Sequence, residues 1–303
     1  MTIKNRSEII FLYDVKDNNP NGDPLNENKP RIDEETFENF VTDVRLKRTI
    51  RDYIARQGNE PPNKIFMLAE RKENRCLESM KDISEKFENI DELISSCIDI
   101  RLFGGTLALK ASKDDKKGDN NHAITGPVQF RPGRSMHRVV IKENQITRTV
   151  PNEQDKTQGT FGFDQRLYYS LIKFYGVINE NTAKDTNLSE QDVDLLLKAM
   201  WFGTKELITR SKIGHMPRLL IKVDYVPGYF IGDLDSKVKL VKNDENMPDE
   251  HIRSLDDYKI DLTELKNVLN AKRDKIVGIS FAKDSDLKFV DGDFGIDGTD
   301  LGF

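Results

Sequence analysis

Hydrophobic and polar positions along the chain keep two different periods. Residues 8–15 (EIIFLYDV) are a near-continuous apolar run rich in β-formers, which predicts a buried first strand. The pattern then stops. Residues 17–33 (DNNPNGDPLNENKPRID) are dominated by Pro, Gly and Asn, so neither helix nor strand can continue there. A loop of that length directly behind a core strand is a candidate functional segment. Thr42 then opens a helix as its N-cap. Val44, Leu46, Ile50, Tyr53 and Ile54 fall near one face, and Gly58 with Pro61-Pro62 closes the helix.

Further on, residues 64–69 have the composition of a strand, and 70–98 are charged and helical in pattern, as in an insertion. Residues 98–109 (IDIRLFGGTLAL) are strand-like with a break at Gly104-Gly105, and 111–122 form a polar loop. Alternation predicts strands over 124–130 and 134–141, continuing at 146–150, while 151–162 reads as a protruding tip. Residues 166–178 read as a long aromatic strand or a strand–helix unit. Ser189 caps a second strong helix to about Thr209, with Val193, Leu196, Leu197, Met200 and Trp201 inward. Residues 218–225 are a strand, 255–270 a helix and 276–290 contain a last strand. The Gly/Asp-rich end is expected to fray.

Reduced to its core, the order is strand, helix, strands, helix, strand. This is the β-α-β-β-α-β order of a ferredoxin-like, α+β fold with large insertions. Such a sheet leaves one face open, where RNA-recognition modules bind single strands.

Composition narrows the classes. The chain has 303 residues, 16 Phe and 8 Tyr, enough for a large core. It shows no apolar run of membrane-spanning length and no signal-peptide core at its start. Cys76 and Cys97 read as reduced thiols rather than a disulfide or a zinc knuckle. The net charge of -5 argues against nucleic acid, but its distribution argues the other way. Residues 101–150 hold 10 Lys/Arg against 4 Asp/Glu, and residues 233–303 hold 11 against 17. A basic middle and an acidic end fit nucleic-acid contact, or two solvated faces.

The motifs offer no convincing catalytic constellation. Asp17, Asn19, Asn21 and Gly22 begin like a calcium loop, but the twelfth position is Asn28 rather than a bidentate Glu. Asp14, Asp17 and Asp23 are candidate ligands for a divalent ion. Turn chemistry accounts for the same residues without one. His122, His137, His215 and His251 lack metal spacing, and no phosphate-binding glycine loop or nucleophile elbow is present. Basic features say more. Arg45, Arg48 and Arg51 recur at spacing three, with Lys47 between them, as a stripe on the first helix. Arg131, Arg134, Arg138, Lys142 and Arg148 populate one predicted strand pair, on which several would share a face and track a phosphate backbone. Ion pairing with the acidic C-terminal region is the other reading of these arginines. Phe161 beside them can stack on a base or tuck into the core.

Several phrases taken in order resemble a known family. They are FLYDVKDNNPNGDPLNENKPRID, VTDVRLKRTIRDYI, DIRLFGG, and ITGPVQF with GRSMHRV; GTFGFDQRLYY and HMPRLLIKVDY extend the likeness to about residue 225. They resemble the backbone subunit of type I CRISPR Cascade surveillance complexes, of the RAMP superfamily. Subtype I-B is the most similar form and I-C the next. The resemblance implies a single domain over 1–303 with an RRM-like (ferredoxin-like) palm. Insertions 70–97 and 110–123 would be helical fingers or web, and 142–163 a β-hairpin thumb. It implies a non-catalytic protein without cofactor or resident metal. Copies would stack along the CRISPR RNA (crRNA) in a helical filament with other Cascade subunits, in the cytoplasm and away from membranes. Each thumb would flip out a nucleotide and leave the spacer bases between free to pair with target DNA.

Carried onto this sequence, RNA contacts would come from Asn19, Asn21, Arg31, Arg45, Lys47, Arg48, Arg51, Arg134, Arg138, Arg148 and Phe161. Lys113, Lys116 and Lys117 would touch target DNA. In the related type III backbone subunit an Asp in the loop after the first strand cuts RNA. Asp17 or Asp23 lies in the comparable loop, so a metal-dependent ribonuclease using loop 17–23 is the alternative. The NPNGDP phrase is the type I form.

Overall fold

A computed structural model describes residues 1–69, 77–108, 121–147 and 161–303. Cys76, Lys113, Lys116, Lys117, Arg148 and the expected tip at 151–160 lie outside the described residues, and of Phe161 only the backbone is described.

The first strand, β1 (Ser7–Asn18), is longer than its apolar run, and residues 7–15 are all buried. The Asn/Pro/Gly stretch behind it is a built loop, in which β2 (Gly22–Asp23) pairs with β3 (Lys29–Pro30). β4 (Phe40–Val41) leads into α1 (Asp43–Gln57). Thr42 caps α1 as its sequence predicts, its Oγ1 accepting from the Arg45 N–H, and Gly58 follows the last turn. Residues 64–69 are not a strand. Lys64 makes one isolated bridge to Cys97, and the N–H groups of Phe66 and Met67 go to the Asp99 carboxylate instead of a neighbouring strand.

Three helices follow: α2 (Met80–Ser84), α3 (Ile90–Ser96) and α4 (Ile98–Phe103). The segment 98–109, expected to be a strand, is therefore helix first and strand second, with β5 (Gly104–Ala108) after the glycine. A short apolar run has no period that separates a buried helix from a buried strand, and all six α4 residues are buried. Gly104 makes the switch at φ 67°. A Cβ on Gly126 would stand 2.0 Å from the Phe103 carbonyl carbon, so the chain crosses itself there.

β6 (Asn121–Thr125) pairs with β5. The two strands expected over 124–141 are shorter and more numerous: β7 (Val128–Phe130), β8 (Gly133–Ser135) and the start of β9 (Ile141–Thr147). Pro127 and Pro132 interrupt them, because proline donates nothing to a ladder. β10 (Phe161–Ile178) is the long aromatic strand. After α5 (Ala183–Thr186), α6 (Glu190–Lys205) starts in a capping box in which Ser189 and Asp192 bond each other's backbone N–H. β11 (Met216–Tyr225) follows. Beyond it lie β12 (Lys239–Lys242), β13 (Tyr258–Asp261), α7 (Thr263–Ala271), β14 (Ile276–Lys283) and β15 (Thr299–Asp300). The helix expected over 255–270 thus starts only at Thr263, after β13. The end of the chain does not fray as expected. β15 pairs with β14, Phe294 packs on Phe281 with ring centroids 4.5 Å apart, and Phe303 packs on Phe202 at 5.4 Å.

The main sheet has nine strands in the order β15-β14-β11-β1-β10-β8-β4, with β7 and β9 on further stretches of β10. β1 is antiparallel to both neighbours, with Tyr13 opposite Ile172 of β10. One face carries Ile9, Phe11, Tyr13 and Val15 against Leu46, Ile50 and Ile54 of α1 and Leu196, Leu197 and Met200 of α6. The other carries Ile10 and Leu12 against Leu234, Tyr258, Ile260 and Leu265. The expected open face is therefore covered, by the acidic C-terminal region. An unbroken apolar strand needs cover on both faces. Glu8, fully buried, fastens that cover. It accepts from the Tyr175 and Tyr225 hydroxyls at 2.6 Å each, and from the N–H groups of Gly232 at 3.0 Å and Ile231 at 3.2 Å. At its other end, β10 runs past β1: residues 161–166 pair with β9 rather than β1.

Candidate nucleic-acid interface

The loop after β1 is built to hold the start of α1. The Asn21 carboxamide oxygen accepts from both the N–H and the hydroxyl of Thr42, at 2.9 and 3.0 Å. Asp23 holds the turn through its carbonyl, which accepts from Asn26 and Asn28, and its carboxylate pairs with Arg31 at 3.3 Å. Asn19 is buried and gives its amide to the Asn28 carbonyl at 2.6 Å. Turn chemistry thus accounts for Asn21 and Asp23. Asp17 sits at φ 50° and pairs with Lys142 at 3.1 Å. Among the described residues no group of three or more His, Cys, Asp or Glu converges as a metal site.

The four cations of α1 have different surroundings. Lys47 pairs with Asp43 at 3.0 Å, and Arg48 with Asp52 at 2.6 Å. Arg51 reaches Asp99 at 2.9 Å and lies over the Phe103 ring. Asp99 is fully buried and also accepts from Phe66 N–H at 2.8 Å and Met67 N–H at 3.1 Å. Arg51 therefore fastens α1 to α4. Arg45 differs. Its Nη2 donates to Thr49 Oγ1 at 3.0 Å, its Nε is buried without a partner, and among the described residues it pairs with no carboxylate.

Arg45 feels the Asp52 carboxylate, which is bonded to Arg48, and it acts in turn on two further basic groups, Lys212 and His215. The segment between α6 and β11 is tied to the end of β1, where the Asn19 N–H donates to the Ser211 carbonyl at 3.0 Å and the Asn18 amide to the Ile213 carbonyl. This brings Lys212 and His215 up to Arg45. His215 is buried, its ring stacked on Tyr13 with centroids 5.9 Å apart. Burial, then Lys212 and Arg45, pushes its pKa down to about 3, so it is neutral. Burial, then Arg45, pushes Lys212 down to about 8. Burial likewise lowers Arg45. Around them, Asn18 Oδ1, Asn19 Oδ1, Gln165 Oε1, Arg31 Nε, Arg45 Nε and His215 Nε2 are buried polar atoms without partners. Each such atom costs about 1–3 kcal/mol. Of these, the Arg31 and Arg45 Nε groups are donors that an anion could satisfy, whereas the three carboxamide oxygens need a donor.

The sequence singled out Arg45, Asn19 and Arg31 in this cluster but not Lys212, His215, Asn18 or Gln165. A lone Lys in a polar connection gives no signal, and residues up to about 209 read as helix.

The arginines of the middle segment do not share one strand face. Arg131 precedes β8, Arg134 lies on it, Arg138 follows it and Lys142 is on β9. Each has an acidic partner: Arg131 meets Asp233 at 2.9 Å, Arg134 meets Asp33 at 3.1 Å, and Arg138 meets Glu250 at 3.2 Å. Arg131 and Arg138 thus pair with the acidic C-terminal region, the second of the two readings. All three are about half exposed, and exposed pairs contribute only about 0–1 kcal/mol, so a phosphate can compete for them. Arg31 and Arg138 also share a cleft of about 620 Å³ with Phe37, Phe40 and Val140. Arg138 lies over the Phe37 ring at 4.8 Å. Cys97 is buried and its thiol is pushed up to about 12, mainly by burial, which makes it a poor nucleophile. Among the described residues no helix is long and apolar enough to cross a membrane.

The family model for CRISPR-associated protein Cas7 matches residues 5–263. A CRISPR-associated protein Cas7 from Haloferax volcanii is 34% identical over 97% of this chain and 91% of its own length. Two solved structures share the fold. A CRISPR RNA-guided surveillance complex chain has a TM-score of 0.51 at 16% identity, covering 98% of this chain and 95% of that one. A chain of a pre-nicking form of such a complex has a TM-score of 0.54 at 16% identity, covering 97% and 95%.

Proposed function

Because the chain belongs to the CRISPR-associated Cas7 family, we propose that it is the non-catalytic backbone subunit of a type I CRISPR surveillance complex, holding crRNA by its phosphates. The observation that carries the RNA reading is the Arg45–Lys212–His215 cluster. It holds two partly buried cations without a carboxylate partner among the described residues, ringed by unpartnered polar atoms. A phosphodiester supplies the negative charge that the two cations lack and an acceptor for the Arg45 Nε. Recognition through phosphate is indifferent to base sequence, as a protein that must hold any spacer requires.

The finer parts of the reading have their own supports. The run β11-β1-β10-β8, with α1 after β1 and α6 before β11, has the neighbour order and antiparallel pairing of an RRM-like palm. The two-stranded extension of β9 and β10 past the sheet suits a thumb, and α2 and α3 suit fingers. Copies stacking along the RNA, pairing of the spacer with target DNA, and a cytoplasmic complex complete the reading. Asp17 is held by Lys142 and Asp23 by Arg31, an arrangement that favours holding RNA over cutting it.

Purification from cells that express a crRNA tests this. The chain is expected to carry RNA, seen as excess absorbance at about 260 nm that ribonuclease removes. RNA-free protein from such cells overturns the reading. So does magnesium-dependent cleavage of complementary RNA that disappears in Asp23→Ala.

A further inference from the structure

We propose that Asp233 and Glu250 compete with RNA for two arginines: in the free chain they mask Arg131 and Arg138, and RNA reaches those arginines only by displacing them. The inference rests on the RNA-binding reading and adds a regulation to it.

Two matching arrangements carry it. The Arg131 guanidinium lies over the Tyr175 ring at 4.4 Å and pairs with the Asp233 carboxylate at 2.9 Å, with Asp235 further off at 3.6 Å. The Arg138 guanidinium lies over the Phe37 ring at 4.8 Å and meets Glu250 at 3.2 Å. In each, an aromatic ring from the body of the fold backs the arginine, and a carboxylate from the C-terminal region closes it. Both arginines are about half exposed, so the ring rather than burial fixes where each one stands.

The acids are held in place by groups other than their arginines. Asp233 sits at φ 58°, with its N–H donating to the Tyr175 hydroxyl at 3.4 Å and its carbonyl accepting from the Ser236 hydroxyl at 2.8 Å. The Glu250 carbonyl accepts from the Arg253 guanidinium. Backbone contacts thus present both carboxylates at fixed places, as a stand-in for phosphate requires. Two mobile surface side chains pairing in passing would need no such support.

The masked arginines open onto neighbouring clefts. Arg131 lines one of about 870 Å³ with Arg134, Lys173 and Tyr175. Arg138 and Glu250 line the one of about 620 Å³, and Phe40 borders both. A guanidinium takes carboxylate or phosphate with similar geometry, and an exposed pair is weak. A stray anion in solution gains little by displacing either acid. RNA held elsewhere on the chain meets the arginines at high effective concentration and displaces both.

The test is a gain of binding, read with a mixed-sequence single-stranded RNA. Asp233→Asn keeps a residue type that tolerates positive φ, and Glu250→Gln keeps its length. Each is expected to raise affinity roughly two- to fivefold and the two together roughly tenfold, the range that exposed ion pairs span. Asp235 still faces Arg131, so Glu250→Gln should gain more. Asp291→Asn with Asp293→Asn removes the same charge from around Lys266 instead, and should change affinity less than about twofold at physiological salt. Adding Arg131→Ala and Arg138→Ala to the unmasked pair should abolish the gain. Melting curves confirm that each variant folds. Unchanged affinity in the unmasked pair, an equal gain in the Asp291 and Asp293 control, or a gain that survives loss of both arginines would each overturn the inference and leave the RNA reading standing. A wild-type chain that retains no RNA would overturn the RNA reading, and this inference with it.

Discussion

Arg45 and Arg51 are the same residue type on the same helix, yet they are held in opposite ways. Arg51 meets a fully buried Asp99 whose remaining oxygen capacity is filled by two backbone N–H groups. Arg45 meets Lys212 and His215, and its Nε has no partner. One arginine completes a network, and the other keeps a donor without a partner. The difference comes from what distant segments deliver to the helix. The 98–103 segment brings a carboxylate, whereas the 206–215 segment brings more cations. A stripe of basic residues on one helix therefore mixes two kinds of arginine, and the spacing of the stripe does not sort them.

The sharpest way to break the comparison is at Asp99. Asp99→Ala leaves the buried Phe66 N–H, and the part-buried Arg51 guanidinium and Met67 N–H, without their acceptor, which is expected to cost about 3 kcal/mol. The melting temperature should drop by roughly 10 °C. A drop of less than about 2 °C would mean that Arg51 is no better satisfied than Arg45, and the distinction fails.

Arg45→Ala should do the reverse. It removes a cation that burial disfavours, though Asp52 favours it, so the melting temperature should stay within about 2 °C. RNA affinity should fall roughly tenfold, the loss of a charge-assisted hydrogen bond, and the salt slope should shrink by about 0.7. A variant that unfolds while any folded fraction binds RNA with an unchanged slope would place Arg45 with Arg51. Arg48→Ala is the control. It breaks an exposed helix pair and should change stability by about 0–1 kcal/mol.

Much of the fold was legible because its signals are local. The apolar run of β1, the Thr42 and Ser189 caps and the aromatic β10 each declare themselves within a few residues. What was not legible depends on partners far away. Residues 98–103 are a helix whose buried Asp99 serves Phe66, Met67 and Arg51, none of them nearby in sequence. The chain end stays ordered because Phe294, Ile296 and Phe303 find aromatic and aliphatic neighbours that an Asp/Gly-rich composition hides. The covered second face follows from the same scattered residues, and it moves the candidate site off the sheet surface to the end of β1. There the sequence supplied Arg45 and the Asn loop, but it gave no reason to bring Lys212 beside them.

A last expected effect concerns that lysine in the free chain, where it tests the unopposed half of the comparison without RNA. Folded Lys212 loses its proton near pH 8, whereas in the unfolded chain it does so near 10.5. Between those values the unfolded chain binds more protons, so this group makes stability rise with pH across the window. Below about pH 8 the folded chain carries the full penalty of a poorly solvated ammonium beside Arg45. Lys212→Met is spared that penalty. Urea midpoints should therefore favour the Met variant most at about pH 7, with the advantage shrinking steadily towards about pH 10. Other alkaline transitions act on both chains and cancel in the difference. An advantage that stays constant across the range would show that Lys212 titrates like an exposed lysine. The cluster around Arg45 would then be solvated well enough to need no anion.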